Sequence, residues 1–253
     1  AKQHNCQIVA LIVNHKLRPE SSTEARTVQA RLKKLGIKSE ILVWEGPKPK
    51  SNIQEVARKA RYKLLIEYCK SNNIKHLVVA HNKNDQAETM LMRILRGTGV
   101  DGLSGMKVKQ SMNGITLHRP LLAFTRDHII QTLKHFKIKW VEDPSNKNEK
   151  YTRIRIRNLI ESQKDSALWI ERLNLLSSNA KRTRDYLDNT VRDFITKNVT
   201  ISNLGYVHFS LKDLEIHEEL KLRVLSKLLM LVSGRKKRHR LSTLTALNLS
   251  KKT

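Results

Sequence analysis

Asp85 and Glu88 are the residues of this 253-residue chain whose types and spacing most suggest chemistry. They stand three positions apart, just after an apolar stretch, within residues 80–99, which read AHNKNDQAETMLMRILRGTG. If Asn84 caps a helix that starts here, the two carboxylates share one face of its first turns. Carboxylates placed in this way can hold an ammonium group or a divalent cation, and one can accept a proton from an attacking amine. The alternative is that both only complement the positive end of the helix dipole.

Arginines accompany this acidic pair. Arg93 lies five residues after Glu88 and Arg96 follows it, at positions that equally allow salt bridges on the helix surface. Farther along, three arginines recur at a spacing of two residues: Arg153, Arg155 and Arg157. An extended chain would place these three on one face, whereas a helix would spread them. Guanidinium groups match phosphate oxygens, so phosphate contact and a solvated basic linker are both open interpretations.

Alternating strands and helices are predicted to position these side chains. Residues 7–13 form a continuous apolar run, QIVALIV, which is typical of a strand buried on both faces. Residues 23–35 have helical spacing, and a second strand follows at residues 37–44. A helix capped by Ser51 or Asn52 and running to Cys69, then a third strand at residues 75–80, complete the pattern. This order predicts an α/β fold with a parallel sheet and right-handed crossovers.

Polar side chains follow the first and third of these strands. Asn14, His15 and Arg18 come after the first strand, and His81 and Asn84 come after the third. Open α/β sheets bind nucleotides in a crevice outside the carboxyl ends of their strands. We therefore expect the two loops to meet at one crevice, although either histidine taken alone fits an ordinary turn.

The chain changes character after the helix at residues 85–95. Glycines between residues 97 and 105 predict a flexible loop, and the further α/β elements are a short strand at 115–117, a helix at 126–136 and a return to the sheet at 139–141. Later elements are a helix at 167–194, a strand at 206–211 and a helix at 220–232 that ends at Ser233 and Gly234. We predict an α/β domain over residues 1–160 and a smaller, mainly helical domain over residues 161–253.

The chain is strongly basic, with 49 Lys and Arg against 23 Asp and Glu and a formal net charge of +26. Such an excess predicts a polyanionic partner, while a general lysine bias of the source proteome explains part of it. The run RKKRHR at residues 235–240 fits a non-specific nucleic-acid surface or a solvated face.

Several classes of protein are excluded by what the sequence lacks. No apolar run approaches the ~20 residues that span a bilayer, and no signal-peptide pattern opens the chain, so a cytoplasmic protein is expected. Cys6 and Cys69 are too isolated for a disulfide framework or a cysteine metal motif. No glycine-rich phosphate loop of the GxxxxGK[ST], GxGxxG or SGGxDS type occurs.

Five segments in order resemble the tRNA(Ile)-lysidine synthetases, a family within the PP-loop ATP pyrophosphatase superfamily. They are NHKLRPES at 14–21, ARKARY at 57–62, the stretch at 80–99, RPLL at 119–122 and WVEDPSN at 140–146. The similarity covers about the first 160 residues, and the later helices look like the central domain of that family. The resemblance implies a Rossmann-like parallel sheet of the PP-loop type.

The resemblance also implies a reaction. ATP, with Mg²⁺, would adenylate the C2 carbonyl oxygen of the wobble cytidine in an isoleucine tRNA with a CAU anticodon, and the ε-amine of free L-lysine would displace AMP. Asp85 and Glu88 would recognise lysine and help to deprotonate its amine. Arg93 would support the developing charge, and Arg153 or Arg155 would stabilise the adenylation step. The residues expected at the ATP site are Asn14, His15, Arg18, His81, Asn84, Arg96 and Gly97.

The sequence departs from the family pattern in places. No counterpart of the SGGxDS loop is present, and a further C-terminal domain of the family has no counterpart after Thr253. The usual HHxDD motif becomes His81, Asn82, Asn84 and Asp85, and Ile154 replaces the usual asparagine between two arginines. The strand that carries the loop would lie between those at residues 7–13 and 75–80. We therefore expect this polypeptide, expressed alone, to be poorly stable and not to turn over ATP.

Two other functions compete with lysidine synthesis. One is a catalytically inactive, truncated tRNA-binding fragment, which an in-frame SGGxDS sequence upstream of Ala1 would argue against. The other is a PP-loop enzyme that thiolates tRNA, which usually requires paired cysteines.

Overall fold

The computed structural model describes residues 7–47, 53–140, 149–235 and 244–245. Predictions for Cys6, for the helix cap at Ser51 or Asn52 and for residues 236–240 of the basic run lie outside these residues. The chain forms two compact units, residues 1–92 with 106–171 and residues 93–105 with 172–253. The domain boundary predicted at residue 160 leaves residues 93–105 in the first domain, whereas in the structure they group with the later helices. No helix of the described ranges has the length and apolarity needed to cross a membrane.

The first unit opens with a parallel β-α-β motif. Strand β1, Val9–Asn14, leads through helix α1, Ser21–Lys34, to strand β2, Lys38–Val43. The two strands pair in parallel from Val9 opposite Lys38 to Asn14 opposite Val43. Both strands and the helix lie within two residues of their predicted bounds, because an apolar run and an amphipathic spacing are strong local signals.

Helix α2, Ile53–Ser71, strand β3, His76–Val78, and helix α3, Lys83–Ile94, continue the alternation. Helix α2 buries four side chains in the core of this unit: Tyr62, Leu65, Ile66 and Cys69. They pack with Leu77 of β3, and with partly buried Leu11 and Val13 of β1. Helix α2 therefore packs against both β1 and β3.

A hairpin extends β3 into a three-stranded sheet. Strands β4, Lys109–Met112, and β5, Ile115–His118, are antiparallel, and β3 pairs with β5 in parallel, which gives the order β3-β5-β4. Asn113 and Gly114 connect the hairpin, both with positive φ, as a two-residue turn requires. Residues 115–117 were predicted as a strand, whereas β4 was not predicted.

Strands β1 and β3 belong to different sheets. Within the described residues β1 pairs with β2 and β3 pairs with β5, and no ladder joins β1 to β3. One edge of each strand is thus left without a paired strand in this part of the chain. The further strand that is expected from the sequence would lie between β1 and β3.

Two helices complete the first unit, α5 at Arg126–His135 and α6 at Thr152–Glu161. The predicted strand at residues 139–141 is wrong for Lys139 and Trp140, which lie in no strand, and Val141 lies outside the described residues. Helix α6 decides the arrangement of the arginine series, because it places residues four apart on one face.

The second unit is mainly helical. It contains most of α7, Ser166–Asn198, a small hairpin of β6, Thr200–Ile201, and β7, Val207–His208, and helix α8, Glu218–Ser233. Gly234, with φ +65°, ends α8 as predicted. The predicted strand at 206–211 forms only at its first residues, and its partner β6 was not predicted. The core of this unit comprises Val191, Leu214, Val224, Leu225 and Leu228.

The glycine-containing segment after α3 was predicted as a loop, but it is not a loop throughout. It contains the short helix α4, Val100–Leu103. Buried Arg223 donates to Asp101 at 3.2 Å, and buried Arg184 donates to the hydroxyl of Ser104. These long-range contacts, which local glycine content does not reveal, hold the segment in the second unit.

Candidate active site

Helix α3 begins at a reciprocal cap. The Asn82 side-chain oxygen accepts a hydrogen bond from the Asp85 backbone N–H, and the Asp85 carboxylate accepts one from the Asn82 N–H, each at 2.9 Å. This is the geometry of a capping box. The predicted cap at Asn84 is wrong, since the Asn84 side chain instead accepts a hydrogen bond from the backbone of Arg126 at 3.0 Å.

Four charged side chains meet at this end of α3, and we call them the acid-arginine cluster: Asp85, Glu88, Arg153 and Arg157. Arg153 donates to Asp85 Oδ1 at 2.8 Å and to Glu88 Oε2 at 2.6 Å. Arg157 donates to Glu88 Oε1 at 2.6 Å. Asp85 and Glu88 thus share a helix face, as their spacing predicts.

Glu88 is the buried centre of the acid-arginine cluster. Its side chain is 3% exposed, against 19% for Asp85. Burial lowers the pKa of the Arg157 guanidinium, but the hydrogen bond and charge of Glu88, together with the charges of Asp85 and Glu161, outweigh this and raise it. Both Glu88 oxygens are therefore committed to guanidinium groups, whereas Asp85 has one such partner.

Helix α6 separates the three arginines of the basic series. Arg153 and Arg157 lie one turn apart and both contact Glu88, while exposed Arg155 donates to Thr152 of its own helix at 3.4 Å. The alternative of an extended chain is therefore excluded. Of the two candidates for the adenylation step, the structure brings Arg153 to the acidic pair.

A cavity of about 210 Å³ opens beside the acid-arginine cluster. Its lining is mainly polar and carries charges of both signs: Asn82, Asn84, Asp85, Glu88, Arg126, Arg157 and Glu161. The volume suits a small polar molecule, and neighbouring positive and negative groups suit a zwitterion.

His81 lies among arginines at the end of β3. The Arg119 guanidinium donates to His81 Nδ1 at 3.3 Å. Burial lowers the pKa of His81 to about 4, and the positive charges of nearby arginines contribute in the same direction: Arg58, Arg119, Arg153 and Arg61. The imidazole is therefore neutral at pH 7 in a positively charged environment, which is suited to anionic ligands.

His15, after β1, faces one of the same arginines. Burial and the charge of Arg61 lower its pKa, and its ring meets Trp44 edge-on with centroids 6.0 Å apart. Its Nδ1 atom is buried without a hydrogen-bond partner among the described residues. The charge of Arg61 lowers the pKa of both His15 and His81, so the two strand-end loops lie within electrostatic range of one arginine.

Asn14 and Arg18 are tied to their own loop. Asn14 is 5% exposed, donates to Ser22 at 3.0 Å and accepts from the Lys16 backbone at 2.9 Å. Arg18 pairs with Glu24 at 3.1 Å. These contacts join the end of β1 to the start of α1, and ATP contact by either residue stays a prediction.

Arg93, Arg96 and Gly97 lie at the opposite end of α3 from Asp85. Arg93 is in the last turn of the helix and donates to the Gly102 carbonyl at 2.6 Å. Arg96 and Gly97 follow the helix end and are exposed. The structure does not bring these three residues to the acid-arginine cluster, and their roles stay predictions.

Three arginines near the site were assigned no role from the sequence, Arg58, Arg61 and Arg119, and Arg157 was considered only for the phosphate contact shared with Arg153 and Arg155. Arg58 and Arg61 belong to ARKARY, and Arg119 opens RPLL, so the matched segments contained the signal. The i, i+4 spacing of Arg153 and Arg157 was a further signal, conditional on a helix.

Fold and site together define an α/β protein with a parallel sheet and charged groups gathered after its strands, which is the class that the sequence analysis predicted. A model of the PP-loop domain matches residues 1–163, and the chain belongs to this family.

Comparison with curated proteins finds relatives named tRNA(Ile)-lysidine synthase. The chain is 42% identical to that of Wolbachia sp. subsp. Brugia malayi (strain TRS) and 45% identical to that of Wolbachia pipientis wMel, each over 94% of this chain and 56% of the relative. It is 40% identical to that of Anaplasma marginale (strain St. Maries), over 92% of this chain and 50% of the relative. The chain thus spans about half the length of these proteins.

Among solved structures, the chain resembles the U34-tRNA thiolase NcsA from Methanococcus maripaludis with its 4Fe-4S cluster. The TM-score is 0.54 at 14% sequence identity, over 68% of this chain and 62% of that one. At this identity the likeness supports the fold alone.

Proposed function

We propose that this chain belongs to an enzyme that joins L-lysine to the wobble cytidine of a CAU-anticodon isoleucine tRNA, at the expense of ATP. The observation that carries the proposal is 42–45% identity to proteins named tRNA(Ile)-lysidine synthase over 94% of this chain. In the proposed reaction, ATP adenylates the cytidine and the lysine ε-amine displaces AMP. We further propose that the enzyme acts in the cytoplasm.

The arginines around His81 support binding of the ATP and tRNA phosphates. Arg58 and Arg61 lie on α2, Arg119 follows β5 and Arg153 lies on α6, so three parts of the chain bring positive charge near enough to lower the pKa of His81. Guanidinium groups form strong hydrogen bonds with phosphate oxygens. Mg²⁺ would enter with the ATP phosphates and neutralise their charge, because the described residues contain no group of three or more metal-ligating side chains.

The cavity of about 210 Å³ is the proposed lysine site. Arg126 and Arg157 offer positive charge for the carboxylate of lysine, and Asp85 and Glu161 offer negative charge for its ammonium groups. Free lysine carries both signs of charge, so a cavity with both signs matches it better than a purely basic or acidic one.

Asp85 is the better candidate to contact the reacting amine. One of its oxygens accepts from Arg153 and the other from the Asn82 backbone, whereas Glu88 receives two guanidinium groups in a nearly closed position. An amine can approach the more exposed Asp85 without displacing a buried ion pair. We assign Glu88 the task of fixing Arg153 and Arg157.

Sulfur transfer receives no support from the described cysteine. Cys69 is 1% exposed in the core, and burial raises the pKa of its thiol. A buried thiol with a raised pKa is a poor nucleophile.

The direct test is incorporation of labelled lysine into purified isoleucine tRNA with a CAU anticodon, using protein expressed from its complete reading frame. Asp85→Ala should reduce incorporation at least 100-fold, because the amine loses its carboxylate partner. Asp127→Ala is the matched control, since Asp127 is an exposed acid in the first turn of α5. Normal incorporation by Asp85→Ala would remove the proposed role. Tight tRNA binding without incorporation by the unaltered protein would favour the inactive tRNA-binding alternative.

A further inference from the structure

Arg119 is a buried guanidinium with three directed contacts. It follows strand β5 and is only 4% exposed. Its Nη1 atom donates to the Lys107 carbonyl at 2.8 Å, and its Nη2 atom donates to Gln110 at 3.2 Å. These two contacts hold the side chain against β4 and the residues before it. Its Nε atom donates to His81 Nδ1 at 3.3 Å.

This contact determines where His81 carries its proton. Arginine has five N–H donors and no acceptor, and it stays protonated in proteins. The ring nitrogen that faces Arg119 must therefore accept, so Nδ1 carries no hydrogen. A neutral imidazole with an acceptor at Nδ1 has its hydrogen on Nε2.

The other charges around His81 keep the ring neutral. Arg58 and Arg61 of α2 and Arg153 of α6 oppose a further positive charge, as Arg119 does. The acidic group on the neighbouring helix is Asp85, which already accepts hydrogen bonds from Arg153 and the Asn82 backbone. His81 thus lies among cations, and the carboxylate of Asp85 is already paired.

We propose that Arg119 is a positioning residue that fixes His81 as the Nε2–H tautomer, so that His81 acts as a neutral hydrogen-bond donor and not as a proton-transfer group. The acceptor that such a donor fits is an anionic oxygen, and its identification as a phosphate oxygen of ATP or of the departing AMP rests on the proposed function. Arg119 acts through His81 and not on the substrate.

The first test is the nitrogen spectrum of histidine in the unmodified protein. In ¹⁵N-labelled full-length protein, His81 should show an unprotonated Nδ1 and a protonated Nε2, with no titration between pH 8 and pH 5. A protonated Nδ1, or titration of His81 in that range, would overturn the proposal. This measurement needs no substrate, so it stands even if the protein has no ligase activity.

Variants at Arg119 separate its two effects. Arg119→Met removes both charge and donor, so the pKa of His81 should rise and both tautomers should appear. Arg119→Lys keeps the charge but loses the Nε donor, so the pKa should stay low while the tautomer preference weakens. Arg31→Met, which removes an exposed arginine of α1, is the charge control and should leave the His81 spectrum unchanged. An unchanged spectrum in folded Arg119→Lys would show that Arg119 does not fix the tautomer.

Conservative replacements of His81 test its chemical role. The amide nitrogen of Gln reaches the position of Nε2, whereas that of Asn reaches the position of Nδ1. His81→Gln should therefore retain lysine incorporation within about tenfold, and His81→Asn should lose at least 100-fold. Equal loss in both variants, together with a histidine-dependent pH profile of the unaltered enzyme, would establish proton transfer and overturn the proposal.

Discussion

Glu88 shows how one buried carboxylate can position two arginines. Its side chain is 3% exposed and receives hydrogen bonds from both Arg153 and Arg157. An unpaired guanidinium in this partly buried position is costly, so the three groups depend on one another. The positions of both arginines beside Asp85 therefore depend on the charge of Glu88.

Loss of the Glu88 charge should lower the free energy of unfolding. Glu88→Gln leaves two partly buried guanidinium groups without their carboxylate, and we expect a loss of about 2 kcal/mol, below the value for fully buried pairs because both arginines are partly exposed. Glu161 is an exposed acid that lines the same cavity, and Glu161→Gln should change the free energy of unfolding by less than about 0.5 kcal/mol. Urea denaturation at pH 7 measures both. Equal stability of the two variants would contradict the central role of Glu88.

The pKa of His81 predicts a pH dependence of stability. Its folded value of about 4 lies below its ordinary value of 6.5, so the unfolded chain binds more protons between those two pH values. The free energy of unfolding should therefore fall as the pH decreases from about 6.5 towards 4, and the contribution of His81 to this dependence should fade as the pH rises above 6.5. Denaturation at pH 7 and pH 5 should show a smaller difference for His81→Gln than for the unaltered protein. His208→Gln, at an exposed position, should keep the original difference.

At the level of elements, helix α6 determines which of the three arginines at residues 153, 155 and 157 contact Glu88. Three arginines two residues apart do not reveal their conformation, because a strand and a helix give different partners. In the structure the segment is a helix in which Ile154 and Ile156 are buried. On this helix Arg153 and Arg157 both donate to Glu88, whereas Arg155 is exposed to solvent.

This arrangement predicts different effects for two neighbouring arginines. Arg153→Ala should reduce lysine incorporation at least 100-fold, because it removes a guanidinium from the acidic pair and from the surroundings of His81. Arg155→Ala should lose less than tenfold, since its contact is with Thr152 of the same helix. Rates at saturating ATP and lysine, with melting temperatures as a folding control, measure the difference. A larger loss in Arg155→Ala would reverse the assignment.

The sequence predicted the elements with strong local periodicity and missed those that depend on partners. Apolar runs located β1 and β2, and amphipathic spacing located α1, α5 and α8 within a few residues. Strand β4 was missed because KQSM has no apolar alternation, although the Asn113-Gly114 turn was a usable hairpin signal. Contacts such as Arg184 with Ser104 were beyond reach, because they join residues 80 positions apart.

The candidate site was predictable to a similar extent. Spacing predicted that Asp85 and Glu88 share a face, and the order of elements predicted polar loops after β1 and β3. The cap was assigned to Asn84 and not to Asn82. Both residues are asparagines, so residue type alone does not distinguish the two positions. The partners of Glu88 required knowledge of how α6 packs on α3, which no local pattern supplies.

For the whole molecule, the net charge of +26 is the dominant property. The proposed tRNA substrate is a polyanion, and basic residues that contact its phosphates release counterions on binding. A lysine bias of the source proteome would raise the charge without placing it at a binding surface. Salt dependence separates these explanations, because only residues that contact phosphate contribute to it.

We therefore expect tRNA affinity to fall steeply with salt. If six or more phosphates are contacted, the association constant should decrease roughly 10³-fold between 50 and 200 mM salt. Fluorescence anisotropy with labelled isoleucine tRNA measures the slope of log affinity against log salt. Replacing the six residues of RKKRHR by Ser should reduce that slope by roughly 0.7–0.9 for each cation that contacts phosphate, whereas removing exposed lysines of α1 should leave it unchanged. A slope near zero in the unaltered protein would mean that its charge reflects composition and not tRNA binding.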